Sequence, residues 1–310
     1  MTKIPFEKTI EAAYRFAFTN ILSVIGAMWL PGLVFAALCA GVLYMAWTDL
    51  HALIPPDLGT AVHNEIDARK RIDELSTLFL AFAPFGALIS LIGLVLRAMA
   101  TVGVMEKALG RRAGPVFVYF SLAAPVWRMA GALLLAAIVM IAGIAAICIA
   151  TGVAIWAADT YAGGIAGLVK FVAVAAASVS IFYATLRLVF FLPAVVVAEE
   201  RIGIVRAWAL GGGNVLRILG VLIAVLLPIV IVAGIVSNML FGALWWGDLQ
   251  AAMMAGRSPT PPEFFAIVFG RLKQVWPFFV AFEIVYLALL TGAALGAVAN
   301  AYKAVAESPA

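Results

Sequence analysis

Glu283 and Arg187 interrupt apolar runs at depths where charge is costly: Glu283 lies in the run from Trp276 to Tyr302, Arg187 in the run from Phe171 to Ala198. An ionisable group in hydrocarbon costs several kcal/mol unless it is partnered, so such residues read as functional or paired. At about 1.5 Å of rise per residue, Glu283 sits roughly 10 Å inside the start of its run and Arg187 roughly 24 Å inside its own. That difference in level argues against a direct ion pair. Asn238, about 30 Å outward from Ile218 by the same rise, comes near the level of Glu283. The expected arrangement is therefore Glu283 facing the bundle and hydrogen-bonded to Asn238, while Arg187 is reached by a cavity or a headgroup. Arg97, roughly 33 Å from the outer edge of its run, reads as a snorkelling residue at the inner interface.

Other residues offer less. His51 and His63 flank no zinc spacing, although His63-Asn-Glu-Ile-Asp67 adds carboxylates, so solvated loop residues are expected and no metal. Cys39 and Cys148, the only cysteines, both fall in apolar runs and read as packed thiols, with a redox or metal role as the alternative. Gly211-Gly-Gly213 follows a helical pattern and lacks the Lys-Ser or Lys-Thr ending of a P-loop, so it reads as a bend, with Asn214 capping the helix that follows. The neighbouring Arg201, Arg206 and Arg217 are candidates for anionic headgroups. No nucleophile and base occur at matching depth, so neither a catalytic residue nor a cofactor is expected.

These residues are carried by long apolar elements. Apolar residues make up 65% of the chain and charged ones only 12%, half the proportion of an average soluble domain, which calls for lipid as solvent. Uncharged runs of about 20 residues or more mark membrane helices. They lie between Arg15 and Asp49, from Leu75 to Leu96, from Met129 to Ala158, from Phe171 to Ala198, within Ile218 to Gly247, and from Trp276 to Tyr302. The expected fold is all-α, a six-helix membrane protein forming one domain over residues 1–310. The first run is too long for a signal-peptide core and reads as an anchor.

Basic residues concentrate in the N-terminal segment, between Arg97 and Arg128, between Arg187 and Arg217, and at Lys303. The other loops carry fewer, and the first of them also holds Asp49, Asp57, Glu65, Asp67, Asp73 and Glu74. The positive-inside bias places both termini in the cytoplasm. Because the charges are scattered singly between apolar runs, nucleic acid is not an expected partner.

The segment from Tyr119 to Gly131 aligns without gaps on Trp208 to Gly220, with an aromatic, an Arg and a Gly recurring in order, and Tyr14 to Leu22 is a looser copy. Pseudo-repeats are expected at about 4–105, 106–198 and 199–303, each a hairpin preceded by a cytoplasmic amphipathic elbow helix; shared inner-membrane composition is the alternative. In the first elbow Phe6, Ile10, Ala13, Ala17 and Ile21 share a face opposite Lys8, Glu11, Arg15 and Thr19, the pattern of a helix lying along the membrane surface. Thr260-Pro-Pro-Glu263 predicts a further helix start, for a segment on the outer leaflet or against the bundle.

The stretch from Phe191 to Asn214, with its Leu-Pro, Glu-Glu and Ala-Trp followed by glycines and Asn, resembles the signature of a six-helix bacterial inner-membrane family. That family includes the membrane domain of some glycerophosphodiester phosphodiesterases. The likeness covers about thirty residues well and the remainder by hydropathy, and it implies a fold more than an activity. In the fused members a soluble phosphodiesterase barrel follows, whereas this sequence ends at Ala310 and no catalytic domain is expected. The expected role is a non-enzymatic inner-membrane protein contacting membrane lipids, a partner membrane protein or a second copy of itself. The alternatives are a transporter or lipid-handling protein whose central cavity uses Arg187 and Glu283, and, behind it, an intramembrane enzyme.

Overall fold

A computed structural model describes residues 3–53, 65–114, 117–242 and 261–306, with single positions between 247 and 254, and only the backbone at parts of three helices. Nine α-helices run in order among these residues: α1 (Phe6–Thr19), α2 (Ile21–Leu53), α3 (Glu65–Ala108), α4 (Ala124–Tyr161), α5 (Ala166–Val189), α6 (Leu192–Glu199), α7 (Ile204–Gly211), α8 (Val215–Ser237) and α9 (Pro261–Ala306). A 3-10 turn precedes α5 and a π-helical turn, Asn238–Gly242, extends α8. No strand occurs among the described residues. This is what lipid demands of a chain whose backbone must bond within its own segment.

Among the described residues six stretches are long and apolar enough to cross a membrane: Ile21–Met45, Leu80–Ala108, Ala124–Tyr161, Gly163–Glu199, Val215–Gly242 and Val275–Ala306. The chain is a multi-pass membrane protein. Consecutive spans pack as pairs, α2 with α3, α4 with α5 and α8 with α9, while α3 meets α4 and α9 closes against α2 and α3. The fourth span is two helices, because the chain leaves the helix at Phe190 and Phe191, just ahead of Pro193, which lacks the N–H to continue it. Pro261 begins α9 as the Thr-Pro-Pro-Glu pattern predicts, and the helix continues without a break into the sixth span.

The core lies at one end of the bundle, where the segments between hairpins and the two ends of the chain meet. Its largest fully buried side chains include Ile4, Met99, Met105, Met129, Phe191 and Ile218. Helix α6 is its axis, with Leu192, Ala194, Val195, Val196 and Val197 all buried against α3, α4 and α9. Toward the other end Ile141, Ile149, Val153 and Phe171 are exposed. Lipid explains the asymmetry: burial drives packing where water is the alternative solvent, but apolar side chains gain little by leaving acyl chains for one another.

Helix α1 departs from the expected surface position. Ala13 and Ala17 pack on Gly296 and Gly292 of α9, in an order that makes the two helices antiparallel neighbours over at least a turn. Small residues four apart on both partners let the backbones approach closely. The buried face is Thr9, Ala12, Ala13 and Ala17, whereas Phe6 is 41% exposed with its ring edge against Gly220. Lys8, Glu11, Arg15 and Thr19 are exposed as the pattern requires.

The elbows are not alike. Ile204–Gly211 is helical before the fifth span, but residues 111–114 and 117–123, before the third, form no helix. Gly110 and Gly114 adopt positive φ there, 78° and 83°, which ends α3 and keeps the chain irregular. Tyr119 is consequently in an irregular connector with its N–H bonded to the carbonyl of Gly26, while Trp208 is inside a helix.

Candidate functional site

Helix α6 ends on Glu199, and Glu200 turns the chain with a left-handed φ of 54°. The carbonyls left open there are met by Arg111, whose guanidinium donates to Val197 O and Ala198 O at 2.7 Å each, a cation placed at the negative end of the helix. Arg111 and Arg128 also flank Glu200 at 3.2 and 3.7 Å. Glu199 accepts from Arg201, from Arg206 Nε at 3.3 Å and from Tyr302 Oη at 3.1 Å. Lys303 reaches Ala108 O at 3.4 Å.

Four arginines thus converge on two carboxylates and leave a surplus of positive charge. Most of these side chains are well exposed, and each such pair is worth about 0–1 kcal/mol. Glu199 is the exception at 18% side-chain exposure. It links the α6–α7 turn to the C-terminal end of α9, so it anchors the cluster.

Beside Glu199 a groove of about 440 Å³ is lined by Arg201 and Arg206 together with Leu135, Ile202 and Val205. Cations at the rim and apolar side chains along the wall can take an anionic headgroup and the start of its acyl chain. The structure brings together two of the three expected headgroup residues.

Arg217 goes elsewhere. Its guanidinium donates to Ile4 O at 2.7 Å, and Ile4 N–H in turn donates to Asn214 Oδ1 at 3.2 Å. The Asn214 side chain therefore does not cap α8, as expected from sequence, but pins the N-terminal segment to its start. A longer-range donor has displaced the local one.

Arg187 is held by protein. Its Nε donates to Trp208 O at 3.0 Å, one terminal nitrogen donates to Tyr183 Oη at 3.1 Å, and the guanidinium lies over the Trp208 ring at 4.3 Å. Gly211 makes this docking possible, since a Cβ there would stand 2.7 Å from Arg187 O, and Gly213 turns on at φ 72°. None of these bonds reaches α9, where Glu283 lies half-buried. The expected bond between Glu283 and Asn238 is absent: Asn238 is exposed and its Oδ1 folds back over Gly242, within the π-helical turn. Rise along a helix gives level but not azimuth, which is why matching depth failed to pair them.

A second polar cluster escaped the sequence reading. Arg112 lies over the Tyr119 ring at 5.1 Å and 3.9 Å from Glu106, and these line a pocket of about 250 Å³ with Ser121. Burial, reinforced by the Glu106 charge, pushes the Tyr119 hydroxyl up to about 12. The only signal was Tyr119 itself, which the repeat had already absorbed. Cys39 and Cys148 are both free thiols, the first half-buried and the second exposed. His63 and the side chain of His51 lie outside the described residues. No protein-family model matches the chain, and no curated protein or solved structure matches it either.

Proposed function

We propose that this chain is a non-enzymatic protein of the bacterial inner membrane, with both termini cytoplasmic, that engages anionic phospholipid headgroups through the α6–α7 groove. The observation carrying the reading is Arg201 and Arg206 sharing one carboxylate beside an apolar wall, with Arg111 and Arg128 adding positive charge behind them. Positive-inside bias puts this end at the cytoplasmic leaflet, where anionic lipid offers about 1 kcal/mol per Lys or Arg near the surface. The resemblance around residues 191–214 supports a six-helix inner-membrane fold on the same side.

The transporter reading with Arg187 and Glu283 in one cavity gains nothing from these contacts, since Arg187 is committed to Trp208 and Tyr183. The test is crosslinking of phosphatidylglycerol carrying a photoreactive headgroup, in nanodiscs that also hold phosphatidylethanolamine. Adducts are expected on residues 201–209 and lost in the Arg201→Gln, Arg206→Gln double variant. Undiminished adducts in that variant reject the site.

A further inference from the structure

Every Lys or Arg in the six spans except one has a protein partner among the described residues. Lys107 donates to Gly114 O, Arg128 and Lys170 pair with Glu200 and Asp159, Arg187 donates to Trp208 O, Arg217 to Ile4 O and Lys303 to Ala108 O. Arg97 alone has none among the described residues. A cation in a span must meet an anion or a carbonyl, or else reach the interface.

Arg97 stands on the wall of a groove of about 570 Å³ between α2 and α3. Met28, Pro31, Gly32 and Phe35 form one side, with Ser90 and Gly93 on the other. Gly32 faces the open space, since a Cβ there would meet nothing within 4 Å, whereas the Phe35 ring packs over Gly93, 2.7 Å from where its Cβ would stand, and forms part of the wall. Ser90 donates its hydroxyl to Gly86 O, leaving the guanidinium as the free donor in an otherwise apolar lining.

The groove is charged at one end only, since the Ser90 hydroxyl at the other is spent on Gly86 O. Tyr119 of the connector packs its ring on Gly103 and so marks the level the connector reaches. Arg97 is six residues outward, about 9 Å, a distance its long side chain can largely span back toward the interface. From Arg97 the groove continues about 10 Å further along α3 to Ser90, inside the apolar span.

A cation at the inner end and an acyl-sized apolar channel beyond it have the polarity of one molecule. We propose that this groove holds a single anionic phospholipid, its phosphate on the Arg97 guanidinium and an acyl chain lying along Pro31, Gly32 and the Phe35 ring. The site depends on the chain being in a membrane and is independent of the α6–α7 groove.

The full-length protein in nanodiscs of phosphatidylglycerol and phosphatidylethanolamine tests this, one lipid at a time carrying a diazirine in its acyl chain. Phosphatidylglycerol is expected to label residues 28–35 and 90–100 more than phosphatidylethanolamine does. Arg97→Gln should lower that preference about fivefold, the value of one interfacial cation. Gly32→Leu, which fills open space, should lower labelling by both lipids while thermal unfolding stays that of the wild type. The Arg201→Gln, Arg206→Gln variant should leave labelling here intact, separating this site from the other. Equal labelling by the two lipids in the wild type, or labelling unchanged in both Arg97→Gln and Gly32→Leu, overturns the proposal.

Discussion

The Tyr14 hydroxyl donates to Ala224 O at 2.9 Å and lies 3.0 Å from Val225 O. Ala224 is four residues before Pro228, the proline inside α8. A proline has no N–H, so the carbonyl four residues earlier loses its helical partner. Helix α1 supplies the replacement, and its attachment to α8 is thereby a hydrogen-bond repair as well as a packing contact.

Tyr14→Phe should lower stability by about 1 kcal/mol, the ordinary net worth of such a bond. In a Pro228→Ala background the carbonyl recovers an N–H partner, and the same substitution should then cost much less. Thermal unfolding in detergent of the four proteins completes the cycle. Equal costs in both backgrounds would mean that the hydroxyl does not serve the proline.

Gly296→Leu should separate α1 from α9, because a Cβ there would already stand 3.1 Å from the Phe16 ring and 3.3 Å from Ala13 Cα. Overpacking of this kind costs about 2 kcal/mol. Gly234→Leu is the control, since nothing lies within 4 Å of its Cβ position. Limited proteolysis of the N-terminal segment should quicken only in the first variant, and equal protection in both would mean that α1 is held by other contacts.

The spans were legible because a lipid-crossing helix is written as an uninterrupted apolar run, and the break near Pro193 and the start at Pro261 follow from proline chemistry. The mounting of α1 was not. Its periodicity tells which face is apolar but not what covers it, although the spacing Ala13-x-x-x-Ala17 against Gly292-x-x-x-Gly296 was available to be matched. At the site, Arg201 and Arg206 were legible as basic residues ahead of the glycine bend, whereas their sharing of Glu199 was not. Arg111 and Arg128 reach Glu200 from far along the chain, and no local pattern announces such a contact.

The left-handed Glu200 offers a test of local strain. A non-glycine residue there costs about 1–2 kcal/mol, while its exposed partners Arg111 and Arg128 return little. Glu200→Gly should therefore be more stable than Glu200→Ala by about 1 kcal/mol. Indistinguishable unfolding of the two would show that the turn relaxes elsewhere.

Orientation can be read from cysteine labelling in a background carrying Cys39→Ala and Cys148→Ala. A cysteine at position 63 should react in intact cells, and one at position 205, where Val205 is 83% exposed, only after permeabilisation. The reverse pattern would invert the protein and remove the α6–α7 groove from the cytoplasmic leaflet.

Glu283 gives the sharpest contrast between a retained carboxylate and a required one. It is half-buried on α9 beside Phe282, whose ring stacks at 6.3 Å on Tyr286 and helps line an apolar cavity of about 480 Å³ with Tyr14 and Pro228. Among the described residues it has no hydrogen bond or ion pair, Asn238 included. A carboxylate so placed within a span contributes desolvation cost without a returning bond. Glu283→Leu should then match or exceed the wild type in thermal unfolding, and Glu283→Gln should be no better than Leu. If Gln unfolds like the wild type while Leu loses more than about 1 kcal/mol, the size of a net hydrogen bond, the position does hold a polar partner and the unpaired reading is wrong.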